Sequence, residues 1–414
     1  MHICMLTYYY WPAPAGGAEN QCRRLSAALI ARGHTCTVLT SRHNTTYFSH
    51  EVEKSGVHIV RKLTMEAVIQ KIRNSDGPQH LEGKTEKCLG SGKKAVVPAL
   101  VKLRKKITLW GAYAVRYSNI VVFVLGVLFF LGRKRHSIDI LHVHTADWIA
   151  GIGAFAGRVF NIPVVCKGAD MPVFPPLDGV PMAAYCDIWR RKPHFIALTQ
   201  AMQADLVQNG VSEKNITVIP NGVPLPKQTV PVEENNDFLY IGNFSQSAAH
   251  KGFDLLITAW AVFHHQHSSS RLLLLGGGDA LPWQQLARKL GCIDSIEFAG
   301  YQTDLTPFFR KSCCLLLPSR KEGISNALLE AQSWGLPAIV SDIPGNREVV
   351  QHKRTGLIIP TGDSRSLAEA MRHLYTSSLL RREYGRAARK RMEDFFAIDS
   401  VAERAVTLYN QLII

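Results

Sequence analysis

The stretch that most constrains this chain runs from Cys313 to Pro337. Cys313-Cys314-Leu315-Leu316-Leu317 is a short apolar run without polar alternation, as a buried parallel strand would be. Pro318 to Gly323 turn the chain, and a helical segment follows that Gly335 and Pro337 end. Strand, loop and helix in that order are the building unit of a doubly wound α/β sheet.

Ser325 or Asn326 can cap this helix, so its free backbone N–H groups and positive dipole end face the loop, where a phosphate would be held. Glu322 lies before the helix and Glu330 about one turn inside it. A carboxylate only accepts hydrogen bonds, so both glutamates suit hydroxyl groups rather than phosphate. Phosphates in the middle with hydroxyls at both ends describe a nucleotide sugar.

Glu322 and Glu330, with seven residues between them, sit within Pro318-Ser319-Arg320-Lys321-Glu322-Gly323-Ile324-Ser325-Asn326-Ala327-Leu328-Leu329-Glu330-Ala331. This segment resembles the E-x7-E element of retaining glycosyltransferases with the two-Rossmann-domain GT-B fold, in particular the large family four. The resemblance implies that Glu322 contacts the donor sugar and that the backbone amides of Gly323, Ile324, Ser325 and Asn326 hold the phosphates. It implies also that Glu330 takes the ribose hydroxyls.

The 414 residues suit two domains of about 200 each. Nine scattered cysteines without a CxxC pair, several of them in apolar runs (Cys4, Cys36, Cys166, Cys313, Cys314), read as reduced thiols in a cytoplasmic core. Met1 to Leu6 lack a basic region and run straight into a strand, so no signal peptide is expected. The net charge of +15 calls for a partner. No nucleic-acid motif accompanies it, and the charge is uneven: Lys71 to Lys106 hold ten Lys or Arg against three Asp or Glu. An anionic membrane surface fits better, because this run leads into apolar sequence.

In chain order, His2 to Leu6, a Gly-containing loop and a helix bearing Leu25, Leu29 and Ile30 make one β-α-β unit with strand Thr35 to Thr40. Gly16-Gly17-Ala18-Glu19 resemble the family's opening loop, which lies beside the donor phosphates. Leu103, Ile107, Trp110, Ala114 and Tyr117 fall at helical spacing beside Lys102, Arg104, Lys105 and Lys106, as in an interfacial amphipathic helix. The uncharged run from Tyr117 to Gly132 is short for a bilayer span and reads as a buried helix or one inserted into a single leaflet. Ile138 to Val143 is a strand, and His144 at its tip is a candidate for touching donor or acceptor, as the family's His-x-His implies. Ile149 stands where some relatives carry a functional His after the Trp. Pro163 to Cys166 and Phe195 to Leu198 are strands, and Thr199 caps the next helix.

The expected organisation is an acceptor-binding domain over residues 1–223 with a membrane-associating insert at about 71–136, a Pro-containing linker over 224–236, and a nucleotide-sugar domain over 237–390. A helix over 391–414 crosses back. In the second domain, Gly242-Asn243 stands where relatives have Gly-Arg, which leaves Lys251 to hold the diphosphate alone or with Arg320 or Lys321. Gly276-Gly277-Gly278 can pass close to the base or ribose.

The expected fold is therefore α/β, two Rossmann-like doubly wound domains facing across a cleft. The expected reaction is retaining, metal-independent transfer of a sugar to a saccharide or lipid-linked acceptor in cell-surface polysaccharide or lipopolysaccharide synthesis, on the inner face of the cell membrane. Lys251, Glu322 and His144 are the catalytic candidates, and Gly16, Gly17, Asn243, Gly277 and Glu330 join the donor site. No Asp-x-Asp is present, so neither metal nor cofactor is expected. The alternatives are a nucleotide-sugar epimerase of the same shape and a catalytically idle membrane-bound scaffold.

Overall fold

In the computed structural model, which describes residues 1–12, 16–42, 47–64, 118–146, 148–169, 193–232 and 234–413, the short apolar runs form two sheets. The first contains β1 (His2–Leu6), β2 (Thr35–Arg42), β3 (His50–Val52), β4 (His58–Leu63), β5 (Ile140–Val143), β6 (Val164–Lys167), β7 (His194–Ala197) and β8 (Ile216–Val218). Their order is β3-β4-β2-β1-β5-β6-β7-β8, parallel except where β3 meets β4. The second contains β9 (Asp237–Ile241), β10 (Leu272–Leu275), β11 (Ile296–Gly300), β12 (Ser312–Leu317), β13 (Ala338–Ser341) and β14 (Gly356–Ile359). It is parallel throughout, in the order β11-β10-β9-β12-β13-β14. Parallel sheets covered on both faces need no polar side, which is why β10 and β12 are buried from end to end.

The winding reverses beside the first strand of each sheet, between β1 and β5 and between β9 and β12. The crevice beyond the carboxyl ends at such a reversal is where open α/β sheets bind ligands. Both crevices are edged by predicted residues: Gly16-Gly17 and His144 in the first domain, Asn243 to Lys251 and Ser319 to Glu322 in the second.

Helices seal the first sheet. α1 (Gly17–Ala31) covers one face with Cys22, Leu25 and Leu29. On the other, a helix over 118–134, α2, and α3 (Trp148–Phe160) bury Phe123, Val127, Leu131, Ile149 and Ala154. Of the second domain's helices, α4 (Phe253–Gln266) places Trp260 in the core and α5 (Asn326–Ser333) follows the loop after β12. α6 (Ile398–Ile413) returns to the first domain, where Val401, Ala405, Leu408 and Tyr409 share a core with Leu25, Leu29, Ile3 and Met5. The chain thus crosses between domains twice, and the crossings touch: Val223 N–H donates to the Phe396 carbonyl at 2.8 Å and Ile398 N–H to that of Val223 at 2.9 Å.

α2 packs one face of the apolar run against the sheet, as a buried helix would, and leaves the opposite face exposed. Its buried stripe is Phe123, Val127 and Leu131, while Val121, Leu125 and Phe129 are 55%, 62% and 70% exposed. No helix among the described residues is long and apolar enough to cross a membrane. Lys102, Arg104, Lys105, Lys106 and Trp110 lie outside the described residues.

Candidate functional site

The loop between β12 and α5 is held from three sides. Ser341 Oγ donates to the Ser319 carbonyl. Gly252 has φ +75°, and a Cβ there would stand 2.3 Å from the Pro318 carbonyl oxygen, so only glycine lets the segment after Lys251 lie on this loop. A Cβ on Gly323 would stand 2.4 Å from the Ala169 carbonyl oxygen of the first domain, so the two domains meet backbone to backbone here.

That frame sets Glu322 between two donors. Ser319 Oγ donates to its Oε1 at 3.0 Å and Lys251 Nζ to the same oxygen at 2.5 Å, with Glu322 largely buried. Two of the predicted catalytic residues are therefore direct partners, which keeps the lysine next to the position expected for the sugar. Ser325 is the N-cap residue of α5, and its side chain makes no capping bond. The N–H groups of this helix end are the donors assigned to phosphate.

Asn326 faces the first domain. Its Nδ2 donates to the Gly17 carbonyl at 2.9 Å, and its Oδ1 accepts from Gln21 Nε2 at 2.7 Å. Gln21 also exchanges bonds with Gly222 at 2.9 and 3.0 Å, so one buried amide ties α1, the interdomain crossing and the donor loop. Glu330 pairs with Arg24, one turn further along α1. Neither Gln21 nor Arg24 was expected from the sequence, although their spacing of three puts them on one helix face after Gly16-Gly17.

Asn243, in the position of the family's arginine, supplies no charge: its Oδ1 accepts from the Ser245 N–H at 2.8 Å and shapes its own turn. Gly277 closes against it, its carbonyl accepting from the Phe244 N–H at 2.7 Å. Arg320, one of the two residues named as possible helpers of Lys251, is paired at both ends with Asp254 at 2.6 and 2.9 Å. This bond holds the Asp254 carboxyl below its usual range.

His144 is at the tip of β5, but deep: its ring is 1% exposed, stacks on His142 at 4.3 Å and 8°, and its Nε2 lies 3.2 Å from Met5 Sδ. His142 Nδ1 meets Tyr409 Oη at 2.5 Å. Burial drives both imidazoles toward the neutral form, His142 down to about 3 and His144 well below its ordinary value. Beside them, Lys167 ends β6 and is 4% exposed, with its pKa lowered by burial to about 8. The sequence places Lys167-Gly168-Ala169 after the strand Pro163 to Cys166, facing the cleft, but gives no sign that the lysine is buried.

The chain resembles known proteins throughout this arrangement. A model described as Glycosyltransferase Family 4 matches residues 115–226, and one described as Glycosyl transferases group 1 matches 235–377. N-acetyl-alpha-D-glucosaminyl L-malate synthase of Bacillus anthracis is 30% identical over 293 residues, 67% of this chain and 75% of that protein. Lipopolysaccharide 1,6-galactosyltransferase of Escherichia coli K12 is 28% identical over 207 residues, 48% of this chain. Some curated relatives are matched over little more than half their length, 56% for that galactosyltransferase and 59% for an uncharacterized glycosyltransferase of Haemophilus influenzae. The HepE structure from Anabaena, solved with UDP and glucose, superposes with a TM-score of 0.73 at 16% identity, covering both chains completely. Two Rossmann-like sheets, a matched model in each half, and a 30% identical relative aligned over three quarters of its length agree: the chain belongs to the family 4, group 1 glycosyltransferases of GT-B fold.

Proposed function

We propose that this protein transfers a sugar, with retention of configuration and without a metal, from a nucleoside diphosphate sugar to a saccharide or lipid-linked acceptor used in cell-surface polysaccharide or lipopolysaccharide assembly. The observation that carries this reading is the meeting of Lys251, from the connection between β9 and α4, with Glu322 on the braced loop that leads into the α5 N-terminus. Lys251 and the N–H groups of Gly323 to Asn326 stabilise charge as the diphosphate departs. Glu322 accepts from sugar hydroxyls, and Glu330 from the ribose once Arg24 gives way. A donor phosphate oxygen takes the acceptor's proton on the face from which the diphosphate leaves. The activities of the relatives support this class, and the HepE structure, solved with UDP and glucose, makes UDP the first nucleotide to try.

Melting curves with UDP, GDP and ADP and their sugars, with and without EDTA, test it, since a ligand of the folded state raises Tm with concentration. The expected result is a rise with one nucleotide that EDTA leaves intact. A rise that EDTA abolishes would overturn the metal-free mechanism, and none at all would favour the scaffold alternative.

The acceptor side is proposed to meet an anionic membrane. Val121, Leu125 and Phe129 form an exposed apolar stripe four residues apart on α2, and Arg133, Lys134 and Arg135 follow it at the surface. Phe129→Glu with Leu125→Glu should abolish co-sedimentation with phosphatidylglycerol vesicles. Retained binding would show that another part of the chain, such as the basic segment Arg104-Lys105-Lys106, is responsible.

A further inference from the structure

Lys167 stands apart from the other cations of the cleft. Lys251 has Glu322, Arg24 has Glu330 and Arg320 has Asp254. Lys167 is almost completely buried, yet no acidic side chain partners it among the described residues. The titratable groups that sense its charge are the thiol of Cys22 on α1 and the imidazoles of His142 and His144. Burial keeps all three neutral: the thiol pKa rises well above its ordinary value and the imidazole values fall. Two further polar atoms of this cluster, His142 Nε2 and His144 Nδ1, are buried without a partner. A lone buried cation with orphaned imidazole nitrogens is costly, and an entering anion offsets that cost by taking hydrogen bonds from all of them.

The position narrows what that anion belongs to. Lys167 ends β6, next to β5 at the sheet reversal. Two residues on, the Ala169 carbonyl touches Gly323, beside Glu322. This is the sugar end of the proposed donor site, across the cleft from the α5 N-terminus that faces the diphosphate.

We propose that Lys167, with His142 and His144 behind it, binds a carboxylate or phosphate group carried by the transferred sugar or by the acceptor. This rests on the glycosyltransferase reading and names the charge of its substrate. The resulting specificity is for a uronic acid donor or for an acceptor phosphorylated near its reacting hydroxyl.

Calorimetric titrations of the full chain with UDP, UDP-glucose and UDP-glucuronate, and with inorganic phosphate at saturating UDP, distinguish the two sources. The wild type should bind UDP-glucuronate at least tenfold more tightly than UDP-glucose if the sugar bears the anion. If the acceptor bears it, the wild type should instead bind phosphate on top of UDP. Lys167→Met should erase whichever preference is found, leave the affinity for UDP within twofold, and melt a few degrees higher because an apolar side chain of similar length suits the buried position. The melting readout also establishes that the variant folds, and Lys167→Arg should retain part of the preference. Absence of any charge preference in the wild type, its survival in Lys167→Met, or equal weakening of UDP itself would overturn the proposal. If UDP, GDP and ADP all fail to bind, the glycosyltransferase reading falls first and takes this one with it; loss of the charge preference alone leaves that reading standing.

Discussion

The two walls of the cleft handle charge in opposite ways. On the second domain each carboxylate of the candidate site is matched: Glu322 by Lys251, the nearby Asp254 by Arg320, and Glu330 by Arg24, which reaches across from α1 of the first domain. On the first, His142 and His144 are neutral and Lys167 has no carboxylate among the described residues. A matched wall is neutral until a ligand arrives, and a ligand there must exchange one partner for another. The first wall already displays its charge, so it selects by sign. In the proposed mechanism donor binding is thus a rearrangement of existing pairs, whereas the proposed recognition on the first domain needs only that the right group enter.

The largest test of this contrast removes a member of the matched set. Lys251→Ala should lower donor turnover by about a hundredfold to a thousandfold, the scale seen when one preorganised donor to developing charge is removed. Glu322→Ala should be comparably damaging, because it loses its contact to the sugar and frees Lys251 from its place. Steady-state kinetics with the nucleotide sugar found by melting checks both, and unchanged turnover in Glu322→Ala would refute its assigned role.

A smaller effect comes from the neutral side. The folded pKa of His142 is depressed to about 3, whereas the unfolded chain takes up a proton near the ordinary value of 6.5. The unfolded state therefore binds more protons in that window. The contribution to stability is complete above about pH 6.5 and is lost as pH falls toward 3, by at most about 1.4 kcal/mol per unit. Urea midpoints between pH 6.5 and 4.5 should fall steeply for the wild type and less steeply for His142→Asn, which keeps a polar partner for Tyr409. Equal slopes would mean that His142 is protonated in the folded protein.

The smallest effect belongs to Arg24. Its pair with Glu330 is only partly exposed, yet pairs of this kind are worth about 1 kcal/mol or less, so Arg24→Ala should tighten nucleotide binding by at most about fivefold. Weaker binding would instead make Arg24 a ligand contact.

What the sequence made legible follows the range over which each feature is encoded. The strands β10 and β12 and the Thr199 cap are written in contiguous residues; the Thr199 hydroxyl accepts from the Met202 N–H at 3.0 Å, as its place before a helix requires. The Glu322 and Glu330 element was legible for the same reason. The pairing of Arg24 with Glu330 was not, because it joins residues 306 apart, on different domains, that only the folded chain brings together. His144 looked accessible because the strand before it ends there. The sequence could not tell that Tyr409, from the last helix, would come to lie against His142 and close that layer. β3 was missed because His50-Glu51-Val52 is a short, half-polar edge strand whose only support is β4.

The paired crossings at Val223 and Ala397 have a consequence for how the two walls can move. A single linker is a swivel, about which one lobe can rotate freely against the other. Two strands of chain bonded side by side act as a strap hinge: they permit opening and closing about one axis and resist torsion. The first domain also waits for its own completion, since the helix that finishes its core is synthesised only after the whole of the second domain.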